Sequence, residues 1–191
     1  NNGEIEISGK AVGIYADNTT SKIAGSKIAG FDNHVTKENA VVNNNATLSF
    51  GDDSVGIYAK KAIVNLSGTG KDDISVGKNG IGIYGKNFSN GDSATLPNST
   101  IEVGENGIGV YTESGNGHLE SGSIKTGKDG VGVYVAGNGG TITATNTFNM
   151  TLGDGSSGNN KGSFGFVNVG SNNVIHSDIS NVTLQNNSVY I

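Results

Sequence analysis

The chain has 191 residues, a formal net charge of -5, and a composition with Gly 32, Pro 1, Cys 0 and Trp 0. Its 12 basic residues are all lysine; an acidic surface without arginine forks excludes nucleic acid as a partner, and the absence of cysteine excludes disulfides, thiolate metal sites and thiol nucleophiles. A hydrophobic fraction of 34% is too low for a thick core, and a charged fraction of 15% is too low for a disordered chain, which leaves something thin and regular.

In chain order, one pattern recurs: an aliphatic doublet at spacing two, a Gly-containing turn, then aliphatic-Gly-aliphatic-Tyr. Ile5-Glu-Ile7 leads to Val12-Gly-Ile-Tyr15. A degenerate stretch over 20–45 follows, with the duplication Ser21-Lys-Ile-Ala-Gly-Ser-Lys-Ile-Ala-Gly30 and then Phe31-Asp-Asn-His34. Leu48-Ser-Phe50 leads to Val55-Gly-Ile-Tyr58, and Ala62–Leu66 adds a further short strand. The clearest copies are Ile74-Ser-Val-Gly-Lys-Asn-Gly-Ile-Gly-Ile-Tyr84, Ile101-Glu-Val-Gly-Glu-Asn-Gly-Ile-Gly-Val-Tyr111 and Ile124-Lys-Thr-Gly-Lys-Asp-Gly-Val-Gly-Val-Tyr134, with extra strands at 94–96 and 141–145. Met150-Thr-Leu152 to Phe164-Gly165-Phe166 carries a loop excursion at 153–162, and Val182-Thr-Leu184 to Val189-Tyr190-Ile191 closes the series.

The aromatic positions Tyr15, Tyr58, Tyr84, Tyr111, Tyr134 and Phe166 are 43, 26, 27, 23 and 32 residues apart. The first interval reads as two degenerate turns. Repeats of about 25 residues made of short β-branched strands, without helix formers, predict a parallel β-helix, because propeller blades need about 40–50 residues. The expectation is an all-β, right-handed parallel β-helix of about seven or eight coils over 1–191, uncapped at both ends, an internal segment of something longer. In Asn79-Gly80, Asn106-Gly107 and Asp129-Gly130 a residue tolerant of positive φ followed by Gly predicts a sharp corner. Strict period two places Ile81/Ile83, Ile108/Val110 and Val131/Val133 inside, and Gly82, Gly109 and Gly132 outside with Tyr84, Tyr111 and Tyr134.

At these residues the sequence resembles the passenger regions of type V autotransporter adhesins, most closely the large fusobacterial ones. The likeness is carried by Ser54-Val-Gly-Ile-Tyr-Ala59 and Lys78-Asn-Gly-Ile-Gly-Ile-Tyr84 in an Asn/Gly/Lys-rich, Arg-poor background. The resemblance implies export, display on the cell surface through a C-terminal outer-membrane barrel that lies outside these residues, and binding to a protein or glycan on host cells or other bacteria. A monomeric rod with an adhesive surface is the expected function. A purely structural stalk is the alternative, and a secreted glycan-active enzyme the second alternative.

No catalytic, cofactor or metal site is expected. The acidic doublets Asp52-Asp53 and Asp72-Asp73 read as solvated turns, and His34, His118 and His176 show no spacing for ligation or a triad. Residues 153–162 read as a protruding loop rather than a calcium site. The candidate binding residues are the outward tyrosines Tyr58, Tyr84, Tyr111 and Tyr134, as a carbohydrate or protein contact strip, with Phe31 and His34 in the degenerate stretch.

Overall fold

A computed structural model describes residues 4–17, 40–44, 46–66, 72–86, 93–95, 99–158 and 161–190. All regular structure among them is β, and every strand pair is parallel. Three sheets are visited in turn. The first has seven strands, from Ile5–Ile7 to Asn181–Leu184, the second seven, from Val12–Asp17 to Ser188–Val189, and the third six, from Ala40–Asn44 to Val174–Ser177. Each strand hydrogen-bonds the equivalent strand one coil before and after, so the chain is a parallel β-helix of seven coils, about 34 Å long at roughly 4.8 Å per coil.

The core is one column of side chains per inward position. Leu48, Ile74, Ile101, Ile124 and Met150 stack in register from the first sheet, all at most 1% exposed. Ile57, Ile83, Val110, Val133 and Phe166 form the facing column of the second sheet, and Val64 and Ile142 contribute from the third. Apolar burial at about 25 cal/mol per Å² is the main driving force, and apolar side chains stacked at strand spacing achieve it with a core one coil wide.

The corners between the first and second sheets follow the expectation. Asp53, Asn79, Asn106, Asp129 and Asn187 have φ between 51 and 56°. At each of the first four, the N–H donates to the backbone carbonyl of the next coil's corner, at 2.8–2.9 Å. Asn side chains extend the ladder: Asn106 Nδ2 donates to Asn79 Oδ1 at 3.3 Å and Asn79 Nδ2 to Asp53 Oδ1 at 3.1 Å. These bonds settle backbone and side-chain groups that a sharp turn would otherwise leave to solvent.

Three sequence expectations are corrected. First, Tyr15 pairs directly with Tyr58, so the 43-residue interval is a single coil, with 22 residues between the strands that end at Asp17 and begin at Ala40. Second, the glycines of the aliphatic-Gly-aliphatic motif face the core. In Ile81–Lys86 the inward residues are Gly82, Ile83 and Gly85, while Ile81, Tyr84 and Lys86 are half-exposed. Two successive inward residues break the period of two, and a Cβ on Gly82 would lie 2.4 Å from Ile101 Cγ2 and 2.6 Å from the Gly109 carbonyl oxygen. Gly is therefore required where the strand kinks toward a neighbouring backbone. Third, Phe166 pairs with Val133 inside the core, and Val167 is the partner of Tyr134.

Candidate contact surface

The outer face of the second sheet carries three parallel columns. The outermost, nearest the Asn-Gly corners, is aliphatic: Val12, Val55, Ile81, Ile108 and Val131, with Phe164 next in register. Beside it run Tyr15, Tyr58, Tyr84, Tyr111 and Tyr134. Their rings stack continuously, with centroids 4.9, 5.1, 4.7 and 5.2 Å apart and interplanar angles of 3–17°. Because the strand spacing equals the preferred separation of aromatic rings, in-register tyrosines stack without adjusting the backbone.

A charged row completes the face two residues after each of the first four tyrosines; Ala136 takes the place after Tyr134. Asp17, Lys60, Lys86 and Glu113 occupy one register position in successive coils. The adjacent lysines turn to opposite ends: Lys60 pairs with Asp17 at 3.3 Å and Lys86 with Glu113 at 3.0 Å. The hydroxyls join this row, Tyr15 donating to Asp17 Oδ2 at 3.2 Å and Tyr84 to Glu113 Oε2 at 2.9 Å. Lys86 and the Tyr84 hydroxyl hold the Glu113 carboxyl below its usual range. Burial and the bond to Glu113 push the Tyr84 phenol up, and the same carboxylate raises Lys86.

The signs fix a pH profile. A carboxyl with a depressed folded pKa stabilises the fold above its unfolded value of about 4.3, and that contribution fades as pH falls below it. The raised Tyr84 and Lys86 stabilise below about 10, and their contributions fade as pH rises through their folded values. Thermal stability is expected to be flat between about pH 5 and 10 and to fall on both sides. Glu113→Gln should shallow both limbs in a melting series; unchanged limbs would show that the row does not couple to folding.

The stacking has a chemical consequence for ligands. Ring faces in the interior of the ladder are covered by neighbouring rings, so ring edges and hydroxyls are presented outward. A sugar cannot lay its C–H face on Tyr58, Tyr84 or Tyr111, and the carbohydrate version of the contact-strip expectation does not fit these three rings.

Of the expected site residues, Tyr58, Tyr84, Tyr111 and Tyr134 are brought together, joined by Tyr15. Phe31 and His34 lie outside the described residues. Asp52 and Asp53 sit at a corner as expected, where Asp52 Oδ1 accepts from the Lys78 N–H at 2.7 Å. Asp72 and Asp73 instead begin the strand Asp72–Val76. His118 pairs with Glu120 at 3.3 Å, and it shares an outer column of the third sheet with Thr143 and His176. No three His, Asp or Glu side chains among the described residues cluster to hold a metal ion. The charged row went unnoticed in the sequence, although its signal was simple: a charge two places after Tyr in four consecutive coils.

Residues 153–156 do not protrude. The Gly153 N–H donates to Thr126 Oγ1 at 3.2 Å, the Asp154 carbonyl accepts from the Asp129 N–H at 2.9 Å, and Ser156 donates through both its N–H and its hydroxyl to the Asp129 carboxylate at 2.5 Å. These two Ser156 bonds lower the Asp129 pKa. The connection from Leu152 to Phe164 is nonetheless 11 residues, against four at the neighbouring corners 104–107 and 127–130. A cleft of about 480 Å³ lies at the edge of the tyrosine-bearing face, bordered by Glu105, Lys128, Asp129, Val131, Lys161 and Phe164.

Compared with known proteins, the chain matches no family model, no curated protein and no solved structure.

Proposed function

We propose that this chain is a rod segment of an exported, surface-displayed adhesin, and that the tyrosine-bearing face is its contact strip for a surface protein of another cell. The observation that carries the reading is the continuous row of stacked tyrosines on one outer face, beside a half-exposed aliphatic column. Aromatic edges and hydroxyls beside aliphatic side chains give large contact area with little side-chain entropy to lose, the composition that concentrates binding energy at protein interfaces. The resemblance of the repeat to autotransporter passengers supports export, display and attachment through a barrel encoded elsewhere.

A structural stalk is the second reading, favoured by a specific observation. The tyrosines stack on one another, and two of their hydroxyls bond carboxylates of the same face, so the ladder stabilises the register whether or not anything binds it.

The two readings part in one experiment. The full passenger is displayed with Tyr58, Tyr84 and Tyr111 all changed to Thr, a strand former that keeps a hydroxyl, and cell–cell binding is counted. The contact strip predicts at least a tenfold loss with surface display and the circular dichroism spectrum unchanged. Binding that persists with the ladder replaced leaves only the stalk.

A further inference from the structure

We propose that the tyrosine ladder is a site of oxidative cross-linking, at which a one-electron oxidant, such as a haem peroxidase fed with hydrogen peroxide, joins neighbouring rings as dityrosine. The inference goes beyond the contact reading and holds whether the face binds a partner or only stiffens the rod.

Dityrosine formation needs two phenols held together, a base for the phenolic proton and access for the oxidant. The ladder supplies all three. Five of the chain's six tyrosines lie in one stack, with centroids 4.7–5.2 Å apart and planes within 17° of parallel. Strand register sets each ring beside the next, so folding has already made the encounter that limits coupling between separate phenols. Tyr15 at the end of the row is 64% exposed and the other four are half-exposed, which leaves ring edges and hydroxyls open to an oxidant.

The base is in place at two rings. A phenol that gives up an electron becomes a far stronger acid than any carboxylic acid, so the electron leaves most readily where a carboxylate already accepts the O–H. Tyr84 donates to Glu113 Oε2 at 2.9 Å and Tyr15 to Asp17 Oδ2 at 3.2 Å. Lys86 and Lys60 pair with the same two oxygens, which weakens the carboxylates as bases without reversing transfer from an oxidised phenol. Tyr190, the sixth tyrosine, has a different setting: its ring stands edge-on to Phe166 and its hydroxyl bonds Ser177.

The chemistry balances within the ladder. Each of two adjacent phenols gives one electron to the oxidant and its hydroxyl proton to the carboxylate or to water. The two phenoxyl radicals form one bond between ring carbons ortho to the oxygens, and the hydrogens on those carbons return to the oxygens as the rings regain aromaticity. The chain loses two hydrogens in all, and one hydrogen peroxide becomes two waters. Closing the rings edge to edge takes rotation about χ1 and χ2 on a half-exposed face. Tyr84 and Tyr111 are the foremost pair, because their centroids are the nearest at 4.7 Å and Tyr84 has the shorter bond to a carboxylate. The product is a covalent staple between successive coils.

The test treats the 191-residue chain with a haem peroxidase and limiting hydrogen peroxide, and maps the products by mass after cleavage at lysine. Lysines separate all six tyrosines, so each lies on its own peptide and a link is assigned by the two peptides it joins. Dityrosine fluorescence is expected, with monomers lighter by two hydrogens per link and links between ladder neighbours, peptide 79–86 joined to 87–125 foremost. Yield per chain should hold on about tenfold dilution, because both rings belong to one chain. Tyr84→Phe, which keeps the ring and the stack, should abolish the link at 79–86. Glu113→Gln, which accepts the hydrogen bond but not the proton, should slow that link by at least about tenfold. Links that reach Tyr190 as often as a ladder neighbour, covalent dimers in place of stapled monomers, an unchanged rate in Glu113→Gln, or no dityrosine at all would each overturn the proposal.

Discussion

Phe148→Ala is expected to be among the most damaging single truncations in the chain, at about 3–5 kcal/mol. Phe148 is fully buried and stands first among the largest buried side chains, yet it belongs to no repeat. It precedes the strand Asn149–Leu152, and the residues at the same place one and two coils earlier are Gly122 and Ser99. A single ring fills space that small residues leave open in the neighbouring coils, and the backbone around it is held by the Phe148 N–H to Thr145 carbonyl bond at 3.1 Å. Removing it leaves a cavity that parallel strands fixed on both sides cannot collapse to close. Because coils in a solenoid contact only their neighbours, the lesion also weakens the coupling between fifth and sixth coils. Urea denaturation followed by circular dichroism should show the loss, with a broadened transition as the C-terminal coils melt ahead of the rest. A change below about 1 kcal/mol would mean that the ring contributes little packing there.

The second large effect has an informative sign. Gly109→Ala should destabilise by about 2–3 kcal/mol, although Gly-to-Ala changes at compatible sites usually stabilise by about 0.4–1 kcal/mol through the unfolded chain. The added Cβ would lie 2.7 Å from the Gly132 carbonyl oxygen and 2.7 Å from Ile124 Cγ2. Neither can retreat: the carbonyl belongs to the next coil, and Ile124 is fully buried in the central column. Gly9→Ala is the matched control, since its added Cβ would meet nothing within 4 Å. The pair should move in opposite directions in thermal unfolding, or at least differ by 2 kcal/mol or more. Equal effects would show that the close approach at Gly109 is relieved at little cost.

These two residues also mark where the sequence was readable and where it was not. The repeat, its three strands per coil and the positive-φ corners are local properties: β-branched pairs, Asn-Gly or Asp-Gly, and a period short enough to exclude propeller blades. All of these are visible without coordinates. The side on which Gly109 lies was not, because period two holds only for a regular strand, and the kink that brings Gly109 and Val110 inward together is a tertiary fit between coils. Counting aromatic residues placed Phe166 in the ladder. Hydrogen-bond register, fixed by the strand before it, gives that place to Val167. The 43-residue interval misled for a related reason, since length alone does not say which tyrosines become neighbours, and Tyr15 pairs with Tyr58 directly.

The candidate site was legible in the same partial way. An outward tyrosine every coil was evident, and with strand spacing near 4.8 Å the rings had to stack. The charged row depends on which residues become neighbours 26–43 places apart. Lys86 and Glu113 look unrelated in the chain until the register puts them side by side. Lys128 and Lys161, 33 places apart, border one cleft.

The strand order has a mechanical consequence. Since every inter-coil hydrogen bond runs along the solenoid axis, a force applied between the first and last coils acts on those bonds end-on, one coil at a time, rather than shearing many at once. A coil of about 26 residues that detaches gives up roughly 5 Å of folded height and releases roughly 85–90 Å of chain. The tyrosine stack spans the first five coils and stops at Val167. Under tension the two coils beyond it are therefore expected to yield before the ladder does, so that such a rod would lengthen by sacrificing its unladdered coils while the laddered portion kept its shape.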